Sequence, residues 1–273
     1  MFDYHHHSAN SVDSLTPMAK VCAAALARGI TEIAFTEHMD FIPEESNTGY
    51  FAYDAYMAEI GTCRRRFGAD LAVLAAIEID YCPDFEDEIA AWLRGKEFDF
   101  VVGSVHYLRG RGNISEPRAL RFFDGLTVEE AYEVYFDLVR RSAQFGMWDA
   151  LGHLDLIKRY AVKKYGPFEP LRFAEIIDEI LAILVEKGIA LEINTSGMRQ
   201  PPKELYPHPD VLRRYRELGG SRLTVGSDSH DERDVGRGIP DALRLVEETG
   251  FAHVERFRER RSLGVPIRAM IAA

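Results

Sequence analysis

Asp3-Tyr4-His5-His6-His7-Ser8 opens the chain with two histidines two positions apart. Side chains alternate along a strand, so His5 and His7 share a face and two imidazoles converge on one point, while His6 faces away. The same residue types return where later apolar runs stop. Thr36-Glu37-His38 follows one run, Ala76-Ile77-Glu78-Ile79-Asp80 ends the next, and Gly103-Ser104-Val105-His106 and Gly152-His153-Leu154-Asp155 close two more. The last run ends in Gly226-Ser227-Asp228-Ser229-His230. Asp13, six residues after His7, is either a further donor or a carboxylate favoured near a helix start.

Glu78 interrupts a hydrophobic run, where an unpaired buried carboxylate would be costly, so it requires a cation or another hydrogen-bonding partner. A single strand-end histidine is ordinarily structural. That explanation would have to be repeated independently at five strands, so metal binding is the simpler reading. His, Asp and Glu donors without Cys suit Zn, Mn or Fe better than Ca or Mg. Nine donors, His5, His7, Asp13, His38, Glu78, His106, His153, Asp228 and His230, exceed the needs of one ion. His208 and His253 have no donor-rich surroundings and are left out with His6.

These donors need a frame that brings strand ends together. Short apolar runs at 2–7, 31–36, 71–80, 98–104, 149–152, 189–194 and 222–227 alternate with amphipathic segments at 17–28, 53–67, 84–93, 127–145, 170–186, 208–218 and 238–249. This is the pattern of seven βα units. Thr16-Pro17 is expected to open the first helix, with threonine as cap and proline at the first helical position. The irregular stretches 39–51, 108–125 and 195–207 each follow a strand, where an α/β barrel builds its site. A barrel is therefore favoured over an open doubly wound sheet, in one domain spanning residues 1–273.

Composition narrows the partners. A formal net charge of −11 works against binding a polyanion, so no nucleic-acid partner is expected. Cys22, Cys63 and Cys82 are odd in number and form no CxxC pair, which fits reduced thiols in a cytoplasmic protein. No apolar stretch approaches the roughly 18 residues of a membrane span, and the first residues lack a signal-peptide pattern.

In their order, DxHxHS, TEH, IEIDY, GSVH, GHLD and GSDSH resemble the PHP (polymerase and histidinol phosphatase) superfamily over nearly the whole chain. Gly103-Ser-Val-His-Tyr107, Gly152-His-Leu-Asp-Leu-Ile-Lys-Arg-Tyr160 and Glu192-Ile-Asn-Thr-Ser-Gly-Met-Arg199 resemble its histidinol-phosphate phosphatase branch. The resemblance implies a distorted (β/α)7 barrel of the TIM type holding three divalent transition-metal ions, Zn, Mn or Fe. His5, His7, Glu78 and Asp228 would hold one ion and Glu78 would bridge to a second held by His106 and His153. Asp13, His38 and His230 would hold the third, although some superfamily members have His in place of Asp13.

The implied reaction is hydrolysis of a small phosphorylated substrate, L-histidinol phosphate. Ions about 4 Å apart would neutralise the phosphoryl oxygens during in-line attack by water. Arg159 and Arg199 follow the fifth and sixth strands and are expected to clamp the phosphoryl group, for which a planar guanidinium is suited. Glu116, in the 108–125 loop, is an acidic candidate for the substrate's cationic end. Two alternatives stand beside this reading: another small phosphomonoester or nucleotide as substrate, and a non-catalytic metal-binding scaffold.

Overall fold

The computed structural model describes residues 1–271, with backbone only at 117 and 118. Seven strands form one parallel sheet: β1 (Phe2–His6), β2 (Glu32–Met39), β3 (Ala72–Asp80), β4 (Phe100–Ser104), β7 (Ala150–Leu151), β8 (Ala190–Asn194) and β9 (Leu223–Gly226). Two short strands, β5 (Tyr107–Leu108) and β6 (Gly112–Asn113), make a hairpin in the loop after β4. The strands are buried along nearly their whole length, as parallel strands covered on both faces must be.

Strand order follows chain order, and the ends of the sheet meet. The amide of His7 donates to the carbonyl of Ser229 (2.9 Å), and that of Asp228 donates to the carbonyl of His5 (2.7 Å). The sheet is thus a nearly closed barrel, and because all pairs are parallel every strand presents its C-terminal end to one rim. Register places His38 of β2 directly beside Glu78 of β3.

Helices α1 (Met18–Ala27), α2 (Tyr53–Phe67), α3 (Glu86–Leu93), α4 (Val128–Phe145), α6 (Ala174–Lys187), α7 (Pro209–Glu217) and α8 (Ile239–Glu248) surround the barrel, as the seven units require. Thr127 caps α4 in a reciprocal box with Glu130, and Gly146 ends that helix in the left-handed conformation.

Several expectations need correction. Helix α1 begins at Met18 with Pro17 as its cap residue and no side-chain cap bond; the Thr16 hydroxyl donates instead to Glu232 at 3.0 Å. The strand expected at 149–152 pairs only at Ala150–Leu151, and helix α5 (Lys158–Tyr165) occupies part of the connection that follows.

The segment after α8 forms a hairpin, β10 (His253–Arg258) with β11 (Arg261–Pro266), followed by α9 (Ile267–Ile271). This hairpin covers the N-terminal rim, opposite the strand ends that carry the donors. Phe257 packs on Phe100 with ring centroids 4.7 Å apart, and its amide donates to the Tyr4 hydroxyl at 2.7 Å. Among the described residues no helix is long and apolar enough to cross a membrane.

Candidate metal centre

All nine sequence-derived donors gather at the C-terminal rim. Glu78 stands at their middle: Oε1 lies 3.0 Å from Nε2 of His153 and 3.6 Å from Nε2 of His106. Its Oε2 lies 3.3 Å from Nε2 of His5, 3.6 Å from Nε2 of His7 and 3.0 Å from Nδ1 of His38. Asp228 adopts a left-handed backbone (φ 48°), a conformation that Asp tolerates better than most residues. Its Oδ2 accepts from Asn194 (3.2 Å) and Ser196 (3.1 Å). Oδ1 is left facing His5 (3.9 Å), His7 (3.6 Å) and His230 (3.7 Å).

Four sets of donor atoms lie within 4.8 Å of one another: His5-His7-Glu78, Glu78-His106-His153, His5-His153-Asp228 and His7-His38-His230. The first two match the division implied by the family resemblance. In the last, His7 joins His38 and His230, while the exposed Asp13 sits at the rim 3.4 Å from His38 and 3.0 Å from His230.

The donors fit metal ions by their unmet bonding. Nε2 of His5, Nε2 of His7 and Oε2 of Glu78 are buried and have no hydrogen-bond partner among the described residues, an expensive arrangement unless something else binds there. Burial pushes the His7 imidazole down to about 3, helped by the neighbouring rings of His230 and His38. Burial likewise lowers His106. Such rings are neutral and have a lone pair to give. Burial would raise the Glu78 carboxyl, but the His5 and His38 rings and a hydrogen bond from His153 hold it well below the usual range, as an anion.

Behind the donors lies a layer of polar groups. Ser11 donates to Glu37 (2.6 Å) and sits 3.3 Å from Nδ1 of His7; Asp80 accepts the amide of His106 (2.7 Å). Glu192 accepts the amide of His153 and faces Nδ1 of His5. Sequence reasoning gave Glu192 no site role, although it is, like Glu78, a carboxylate inside an apolar strand.

A cavity of about 320 Å³ opens above the cluster, lined by Asp13, His38, His106, His153, Asp228 and His230 on its floor. The three long loops add Asp40, Ser46 and Asn47 from the first, Asn113, Ser115 and Glu116 from the second, and Gln200 from the third. Arg159, in the first turn of α5, also lines it, and its Nε has no partner among the described residues. Arg199 is not among the lining residues. Its Nη2 donates to the carbonyls of Ser227 (2.8 Å) and Asp228 (3.4 Å), its Nε lies 3.6 Å from Asp234, and Nη1 has no partner among the described residues.

A parallel barrel with clustered His, Asp and Glu donors at its C-terminal rim defines a metal-binding α/β-barrel class. The chain belongs to the PHP domain family, whose model matches residues 3–196. A histidinol-phosphatase of Lactococcus lactis is 33% identical over 264 residues, 93% of each chain. A probable histidinol-phosphatase of Deinococcus radiodurans is 31% identical over 270 residues, 95% of this chain and 97% of that one. The crystal structure of histidinol phosphate phosphatase from Lactococcus lactis, complexed with Zn, L-histidinol and phosphate, matches with a TM-score of 0.85 at 30% identity. That match covers 96% of this chain and 98% of the other.

Proposed function

We propose that this chain is a metal-dependent phosphomonoester hydrolase acting on L-histidinol phosphate. Water adds to phosphorus, the P–O ester bond breaks, and orthophosphate and L-histidinol leave. The observation that carries the reading is the convergence of partnerless Nε2 of His5, Nε2 of His7 and Oε2 of Glu78 beneath a cavity. Substrate identity is supported by relatives of this length and by the GHLDLIKRY and EINTSGMR strings.

His5, His7, Glu78 and Asp228 would hold one divalent transition-metal ion, Glu78 with His106 and His153 a second, and His38, His230 and Asp13 a third. When bound, such ions activate water and neutralise phosphoryl oxygens. The chain's own groups do the rest. Glu78 spans two positions with its two oxygens, and Asn194 and Ser196 aim Asp228 by holding its Oδ2. Arg159 offers an unpaired N–H to a phosphoryl oxygen from the cavity wall. Arg199, which straps the Ser227-Asp228 turn through Nη2 and does not line the cavity, would serve the phosphoryl site by fixing Asp228. Glu116 also lines the cavity, where an acidic group suits a cationic amine or imidazole.

Steady-state phosphate release from L-histidinol phosphate, measured beside a panel of simple phosphomonoesters and nucleotides, tests the substrate. A kcat/KM far above the panel is expected. Equal values throughout would leave a generic phosphatase, and no turnover by the metal-loaded protein would leave a binding scaffold.

A further inference from the structure

Glu192 stands in the middle of β8, almost fully buried on a strand otherwise made of Ala190, Leu191, Ile193 and Asn194. Its Oε1 lies 2.5 Å from Nδ1 of His5, on the edge of the ring away from the cluster. Its Oε2 accepts the backbone N–H of His153 at 2.7 Å and the side-chain amide of Asn194 at 3.2 Å. The opposite edge of the His5 ring meets Glu78, with Nε2 at 3.3 Å, and Nε2 of His153 lies 3.0 Å from the same carboxylate. One carboxylate thus backs a member of the His5-His7-Glu78 set and a member of the Glu78-His106-His153 set.

We propose that Glu192 is a positioning residue for two neighbouring ion positions, fixing the ring of His5 through one oxygen and the backbone of His153 through the other. The inference rests on the reading that those two donor sets hold ions.

The chemistry of the partners requires a carboxylate. The His153 N–H can only donate. His5 must carry its proton on Nδ1 if Nε2 is to offer a lone pair toward Glu78 and Asp228, so it too presents a donor. A carboxylate accepts at both oxygens; an amide accepts at one end and donates at the other. Glutamine at this position would set donor against donor at one contact whichever way it turned, in a place buried from solvent. The surroundings are shaped for this contact. A Cβ on Gly152, the residue before His153, would stand 2.3 Å from Oγ of Ser104 and 2.9 Å from Cγ1 of Val102, so glycine lets the backbone that leads to the His153 amide lie close against β4. Asn194 shares its amide between Glu192 and Asp228, carrying the same scaffold to the third carboxylate.

The test is stepwise zinc titration of metal-free wild-type protein and Glu192→Gln against a chromophoric chelator, with thermal melting of both metal-free proteins. We expect the metal-free variant to melt cooperatively at a lower temperature, and zinc affinity lowered roughly 10- to 100-fold in two binding steps, the range found for groups that orient metal-bound histidines. Wild-type affinity in the variant, or a loss confined to one step, overturns the proposal while leaving the proposed function intact. Failure of wild-type protein to take up zinc overturns both. If Glu192→Gln does not fold, long-range proton–nitrogen NMR of zinc-loaded wild-type protein decides. A slowly exchanging, far-downfield proton on His5 Nδ1 supports the proposal, and a fast-exchanging proton there, or zinc on Nδ1, overturns it.

Discussion

A Cβ added at Gly226 would stand 2.2 Å from Cβ of His5 and 2.8 Å from its backbone nitrogen. The barrel therefore closes by backbone contact between β9 and β1 at the residue that begins the donor cluster. Gly226→Ala has to push β1 aside. We expect a loss of about 1–3 kcal/mol in stability, typical of overpacking, together with weakened metal retention because His5 moves with the strand. Urea unfolding and metal content of the same preparation check both; unchanged metal content would mean that β1 adjusts without carrying His5.

Arg159 and Arg199 should separate on the same assay. A charge-assisted contact to phosphate contributes about 1.5–3 kcal/mol, so Arg159→Ala should lower kcat/KM roughly ten- to more than a hundredfold with metal content intact. Arg159→Lys should recover only part, since an ammonium lacks the planar fork. Arg199→Ala should lose activity and metal together, because its Nη2 holds the carbonyls of Ser227 and Asp228. Full metal retention in Arg199→Ala with reduced kcat/KM would assign that arginine to the phosphoryl group alone.

Far from the cluster, Thr127 accepts the amide of Glu130 at 3.2 Å and Glu130 accepts the amide of Thr127 at 2.8 Å. Thr127→Ala should lower stability by about 1 kcal/mol, with metal content unchanged. Hydrogen bonds from the Thr127 backbone and side chain lower the Glu130 pKa in the fold. Its contribution is therefore present above the ordinary carboxylate pKa and is lost as pH falls through the lowered one. Equilibrium unfolding across acid pH should show the wild-type advantage shrinking; an advantage that grew in acid would contradict the cap.

All the donors but Asp13 were legible because each interrupts or closes an apolar run at a strand end, and period-two alternation separates His5 and His7 from His6. In the fold His6 packs edge-on against Phe35, with centroids 5.9 Å apart. Seven βα units were legible for the same reason, as buried parallel strands are short apolar runs between amphipathic helices. The terminal hairpin was not. Its turn places Glu259 (φ 49°) and Arg260 (φ 62°) in the left-handed region without the Asn or Gly that ordinarily signals it. Helix α5, Lys158-Arg-Tyr-Ala-Val-Lys-Lys-Tyr165, is too polar and short to stand out by periodicity. Glu192 stayed hidden because its partners, a ring nitrogen and a backbone amide, lie 187 and 39 residues away.

Elemental analysis of wild-type protein and Glu78→Ala, each loaded with excess zinc or manganese and then desalted, tests the central claim that Glu78 joins a multinuclear centre. Two or more ions per wild-type chain are expected, with at least two lost together in the variant, because both oxygens of that carboxylate face histidine donors. One ion or none in the wild-type protein, or a variant that keeps the full wild-type complement, would contradict it.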